Sequence, residues 1–190
     1  MFSAVLDTSV LWPSTQRDFL LSLAVENLYR PLWSSAILEE LRYTNVRKQL
    51  ARSVPTAQAE AHSARLIEQM RTAFDDAEVT HWEPYEGTFG LPDFADEHVL
   101  AAALAGGAGA IVTENLKHFP PTCLPRGIQV LAARDFAADA VAVHPPRALK
   151  AIASMSARRR CPPESVDDLL LVLRERYGME EAVGLLEDVL

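Results

Sequence analysis

Cysteine is nearly absent: the 190 residues hold two, Cys123 and Cys161. Neither belongs to a Cys-x-x-Cys pair or a Cys/His cluster, so nothing supports a zinc framework or a disulfide scaffold, and both read as reduced thiols. Long apolar runs are missing too, none approaching the roughly 20 residues of a membrane-spanning helix. The first residues show no basic segment followed by an apolar stretch and a cleavage site. The expectation is a cytoplasmic protein that does not engage a membrane. Positive charge is in deficit, with 18 Lys and Arg against 26 Asp and Glu and a formal net charge of −8. That argues against a strongly basic nucleic-acid module, but not against a nucleic-acid enzyme with a locally cationic groove. Internal repeats and low-complexity segments are also lacking. What the chain does have is 49% apolar residues, enough to bury a sizeable core and to exclude disorder.

Phe2–Leu6 reads as a buried strand and Ser14–Glu26 as a helix, with Phe19, Leu20, Leu23 and Val25 on its apolar side. "YRPLWSS" is a short strand whose Ser34 and Ser35 can cap the helix "AILEELRYTNVRKQL". A third helix follows Pro55 and Thr56, then a strand at "AEVTHW". A loop rich in Pro and Gly leads into a helix at about Phe94–Leu104, which "GGAGA" closes. "AIVT" and "GIQVL" are further strands. Strands alternating with helices predict an α/β class: a three-layer α/β/α domain around a mainly parallel sheet. In such sheets ligands gather beyond the carboxyl ends of the strands. The character changes at "HPP". This divides the chain into an α/β domain, residues 1–143, and a C-terminal helical extension, residues 144–190, in which Val166, Leu169, Leu170 and Leu173 recur at helical spacing and Gly178 is a helix stop.

Candidate chemistry lies in acids at the ends of these elements. Asp7 follows the first strand, where a turn or helix cap is one use of an Asp and a ligand-facing carboxylate another. A haloacid-dehalogenase phosphatase also carries Asp there, but needs a second Asp two positions on, where this chain has Ser9. Of Glu39 and Glu40, the second sits nearer the apolar sector of Ile37, Leu38 and Leu41 and is the better candidate to point inward. Asp93 and Asp96 suit a capping box and the helix dipole; the small apolar remainder, "VLAAALAGG", implies tight packing on the sheet, with the helix N-terminus near Asp7. "IVTENLKHFP" delivers Thr113, Glu114 and Asn115 to the same edge. Two carboxylates about 4 Å apart repel by roughly 4 kcal/mol at an effective dielectric of 20. Asp7, Glu40 and Asp96 therefore require a compensating cation or raised pKa values if they converge. Oxygen ligands without a Cys or His cluster favour Mg²⁺ or Mn²⁺, an arrangement suited to phosphodiester hydrolysis.

On these residues the chain resembles PIN-domain ribonucleases, specifically VapC-type toxins of type II toxin–antitoxin pairs. "VLDTSVL", "SSAILEELRY", "DEHVLAAAL" and "IVTENLKHFP" are similar to the four family motifs, in order, and the resemblance covers roughly residues 2–140. It implies a Mg²⁺- or Mn²⁺-dependent endoribonuclease with Asp7, Glu40, Asp96 and Asn115 as catalytic residues. Asp7, Asp96 and Glu40 would hold the metal, Glu40 holding or activating the attacking water. Thr8, Ser9, Asp93, Thr113 and Glu114 would support the site. Asn115 stands where many members have Asp, which leaves Glu114 as the remaining carboxylate of that segment. The resemblance also implies an RNA substrate, a small cognate antitoxin, and a family in which homodimers are common. Alternatives are a PIN-type nuclease of RNA processing or structured DNA without an antitoxin, and a catalytically inert PIN module that binds RNA or protein. The retained Asp7, Glu40 and Asp96 weigh against the last.

Outside the motifs, Lys117 and His118 are placed to contact RNA, whereas Arg47, Lys48 and Arg52 form no single stripe. "ARRRC" is either a phosphate contact or a solvated helix end. His81, His98 and His144 stand alone and carry no ligand assignment. Trp12, Trp33 and Trp82 are expected in the core, as is the amphipathic C-terminal "VGLLEDVL".

Overall fold

Ala4, Val5 and Leu6 have no exposed surface, the signature of a strand covered on both faces, and they place β1 (Ser3–Leu6) at the centre of a five-stranded sheet. A computed structural model describes residues 1–190. The other strands are β2 (Arg30–Ser34), β3 (Glu78–Val79), β4 (Ala110–Val112) and β5 (Gln129–Leu131). All pair in parallel in the order β3-β2-β1-β4-β5. The order reverses between β1 and β4, so the crevice beyond their carboxyl ends is where an α/β sheet binds ligands. Leu6 registers with Val112, and the Asp7 amide donates to the Val112 carbonyl at 3.0 Å, so Asp7 and Thr113 emerge side by side.

The helices are α1 (Thr8–Leu11), α2 (Ser14–Val25), α3 (Ser35–Leu50), α4 (Thr56–Ala73), α5 (Glu97–Ala105), α6 (Ala133–Val143), α7 (Pro145–Arg158), α8 (Val166–Tyr177) and α9 (Glu180–Glu187). The three-layer α/β/α expectation holds, with the sheet wholly parallel and the C-terminal region helical. None of the helices is long and apolar enough to cross a membrane. α5 lies across β1, β2 and β4. Its run Val99–Ala103 is buried, its small side chains allowing a close approach. Gly106 extends that approach: a Cβ there would stand 2.8 Å from Val79 Cγ2 and 3.0 Å from Leu32 Cδ1. α7 packs on α2, and α9 on α6, burying Val183 and Leu186 as expected of the C-terminal segment.

Several expectations need correction. The strand anticipated at Ala77–Trp82 shortens to Glu78–Val79, because His81 takes a positive φ of 60° and Trp82 leads into a 3₁₀ turn. The helix anticipated from Phe94 starts as a 3₁₀ turn, Phe94–Asp96, and becomes α-helical at Glu97. Val25 is exposed. Trp33 and Trp82 are buried, but Trp12 is 40% exposed because α1 ends there, at the rim of the crevice. Arg158, exposed, and Arg159, half-buried, are not free: they bind Asp18 on α2, and Arg159 also binds Glu164. Both cysteines are free thiols, in line with the sequence reading.

Candidate active site

Asp7 is the N-terminal flanking residue of α1, yet its side chain caps nothing. Its Oδ2 accepts instead from Ser9 Oγ at 2.6 Å and from Thr113 Oγ1 at 2.7 Å. The hydroxyls in turn accept backbone donors, Ser9 Oγ from the Glu114 amide and Thr113 Oγ1 from the Asn115 amide, both at 3.0 Å. The start of the segment after β4 is thereby latched onto Asp7. Asp7 is 4% exposed and Thr113 fully buried, so a substantially desolvated carboxylate is held with one oxygen satisfied. Oδ1 has no donor from the protein.

Glu40 comes from α3, which Ser34 starts by accepting from the Ile37 amide at 3.2 Å. One turn on, Glu39 points outward onto Arg42, while Glu40 turns inward. Its Oε2 accepts from Thr8 Oγ1 at 2.8 Å, and its Oε1 lies 3.1 Å from His98 Nε2 on α5. Burial acts to raise Glu40, but the bond and charge of His98, with the Thr8 hydroxyl, outweigh it and hold the carboxyl below its ordinary value. Burial likewise acts to lower His98, and Glu40 outweighs it, raising the imidazole. Each group thus favours the charged form of the other, and the imidazole lies edge-on to Trp82 at 6.2 Å.

Asp96 ends the 3₁₀ turn before α5. Its Oδ2 lies 2.7 Å from His118 Nδ1, and Asp93 Oδ2 is 3.9 Å from the same nitrogen. Burial and the charges of Asp7 and Asp93 raise Asp96, against the opposing pull of His118. The expected Asp93–Asp96 capping box is not formed: Asp93 accepts from the Ala95 amide at 3.0 Å and Asp96 turns to the histidine. Immediately after it, Glu97 is 1% exposed and accepts from the amides of Gly87, Phe89 and Leu91. One carboxylate thus organises the loop that walls this end of the crevice.

The structure gathers Asp7, Thr8, Ser9, Glu40, Asp96 and Thr113 at the carboxyl edge of the sheet, with Asp93 and His118 at its rim. Glu114 and Lys117 are exposed, and neither side chain is tied to this network; Asn115 is half-buried and joins it through its amide. Sequence reasoning missed His98 and Glu97. Both fall in the helix's buried first turn, and a polar residue at a position that packs on the sheet needs a partner across it. It also missed that a histidine joins the acids: Asp93, Asp96 and His118 offer ligand atoms within 4.8 Å of one another.

The carboxylate oxygens suit Mg²⁺ or Mn²⁺, while the imidazole of His118 is a ligand type that softer transition ions take more readily than Mg²⁺ does. The test of fit is geometric first: Asp93, Asp96 and His118 offer ligand atoms within 4.8 Å of one another, and Asp96 is raised by burial and then by the charges of Asp7 and Asp93, against His118, so a cation beside it would favour its ionised form. The Oδ1 of Asp7 is a further oxygen without a donor. Glu40 has both oxygens engaged, by Thr8 and His98, which suits it better to fixing Thr8 than to direct ligation.

Residues 3–117 match the family model described as PIN domain, and residues 135–188 match that of the VapC50 C-terminal domain. A Mycobacterium tuberculosis protein named "Putative ribonuclease VapC50" is 38% identical over 84 residues, which are 44% of this chain and 50% of that protein. The aligned region thus spans half the length of that curated relative. No solved structure matches.

Proposed function

The chain belongs to the PIN-domain family, VapC type, and on that premise we propose that it is a divalent-metal-dependent endoribonuclease that acts as the toxin of a toxin–antitoxin pair in the cytoplasm. The observation that carries the reading is geometric: carboxylates from separate segments, Asp7 with a free Oδ1 and Asp93 and Asp96 with ligand atoms within 4.8 Å of each other, meet where the strand order reverses. Asp7 and Asp96 would hold a Mg²⁺ or Mn²⁺ ion, with Asp93 and His118 at its border. When bound, such an ion lowers the pKa of water and offsets charge on a phosphodiester.

The protein's own contribution is placement. Ser9 and Thr113 fix the Asp7 carboxylate through Oδ2, leaving Oδ1 free to ligate an ion. Glu40, anchored by His98, accepts from the Thr8 hydroxyl and so orients α1 under the site. Asn115 stands beside the latch as an uncharged polar group toward the RNA. An antitoxin that presents a cationic side chain to these acids would take the ion's place and silence the site.

Incubation of the purified chain with total RNA tests this. Discrete new ends are expected in Mg²⁺ or Mn²⁺ and none in EDTA, with sequencing of the ends naming the target. Cleavage that ignores chelation, or no cleavage in either metal, defeats the reading.

A further inference from the structure

A cavity of about 400 Å³ adjoins the acids, lined by Ser9, Trp12, Gln16, Asn115, Arg176 and Tyr177 among others. It shares Ser9 with the Asp7 latch and Asn115 with the segment after β4. Its opposite wall comes from the C-terminal helices, through Arg176 and Tyr177 of α8.

One cation, Arg176, lines that wall, and Lys48 reaches the cavity's edge at Trp12, in a chain with a net charge of −8. Lys48 Nζ stands 5.1 Å from the Trp12 ring centre, and the Arg176 guanidinium 5.6 Å from that of Tyr177. Lys48 is lowered by burial and then by the charges of Arg52, Arg17 and Arg176, so cations from α2, α3 and α8 crowd one another. Lys48, Arg52 and Arg176 form no ion pair. Arg17 spends one donor on the Leu11 carbonyl, and its neighbour Asp18 is occupied by Arg158 and Arg159. The only carboxylate lining the cavity is the exposed Glu114, on the side of the acids. Taken by sequence, Lys48 and Arg52 lacked a stripe; α2 and α8 supply the missing charges in space.

We propose that this cavity is the subsite for a single-stranded RNA nucleotide adjoining the one that is cut, its phosphate on Lys48 and Arg176 and its base against the exposed Trp12. The proposal rests on the ribonuclease reading for its orientation toward the acids. Repelling cations beside exposed aromatic rings are the arrangement that binds single strands, the cations meeting phosphate and the rings meeting bases. Local positive charge is also what an acidic protein needs to hold a polyanion. The C-terminal helices thereby contribute to substrate binding.

The test is anisotropy of a labelled eight-nucleotide single-stranded RNA with the full chain in EDTA, across a series of salt concentrations. The double variant Lys48→Gln/Arg176→Gln is expected to bind about tenfold more weakly, with the salt slope smaller by about 0.7 per cation removed. Trp12→Ala is expected to weaken binding about tenfold with the slope unchanged. Lys150→Gln, which removes a cation paired with Glu26, should match wild type. If Trp12→Ala does not fold, the Lys48 and Arg176 substitutions carry the test alone. Equal affinity and slope in wild type and the double variant overturn the proposal, as does wild type that binds no RNA. Loss of an octaglutamate peptide's binding with RNA binding intact assigns the wall to an acidic partner and overturns it too. Cleavage of the same RNA in Mn²⁺ separates the two readings: binding through the wall without cleavage removes the ribonuclease and leaves the subsite, and cleavage with unaltered variant binding does the reverse.

Discussion

The two acidic corners of the crevice are built differently. Around Asp7 the carboxylate is 4% exposed and sits at the end of the central strand, and its contacts are hydroxyls that are themselves held by backbone amides. Around Asp96 the acid sits on a single 3₁₀ turn, next to another acid, and is balanced by one half-buried histidine. The first corner is fixed by the sheet, the second by a loop and by charge. The difference teaches where rigidity and where adjustability reside: geometry is set at Asp7, and electrostatic demand is expressed at Asp96.

The sharpest way to break this comparison is to remove charge from each corner in turn. Asp7→Asn keeps an oxygen for Ser9 and Thr113, so its melting temperature is expected to stay near or above wild type while RNA cleavage falls at least about 100-fold. His118→Gln, in the adjustable corner, is expected to cost about tenfold, mostly recovered at higher metal concentration. Equal loss in both variants, unrelieved by metal, would erase the distinction between the corners.

A stability measurement sharpens it further. Glu97→Gln leaves a buried site that received three backbone N–H groups with a weaker acceptor. A loss of about 2 kcal/mol is expected, read as a melting temperature lower by about 4–8 °C, with amide exchange faster at Gly87, Phe89 and Leu91. An unchanged melting curve would mean that the loop is held by other means.

The smallest effect concerns pH. His98 is raised above its ordinary 6.5, so its contribution to stability is complete below that value and is lost as pH rises through the folded value. Glu40 is depressed below 4.5, so its contribution is present above that value and is lost as pH falls through the folded one. The pair is therefore expected to stabilise most between about pH 4.5 and 6.5, and His98→Gln to flatten the melting temperature across the rise from pH 6 to 8. Parallel profiles for wild type and variant would remove the pair from the account.

Much of the fold was legible because it follows from short-range rules. The apolar run Ala4–Leu6, the serine that starts α3 and the small residues of α5 each say locally what they do. Asp7 was findable for the same reason, since a strand end has a defined place in a parallel sheet. The Asp96 corner was less so. Nothing local says that His118 comes back to Asp96, or that His98 crosses to Glu40, because those contacts depend on how loops and helices meet. Trp12 failed as a core residue for a related reason: the sequence shows its apolar neighbours but not that α1 stops after four residues, just short of burying it. The basic wall was hidden most deeply, its members lying on three helices whose approach only the tertiary structure reveals.

Asp96 and Glu97 share a peptide bond, one turned to His118 and the other holding the loop above it. The amides of residues 87, 89 and 91 all end on that one buried glutamate, so the wall of the crevice and the start of α5 are joined at a single side chain.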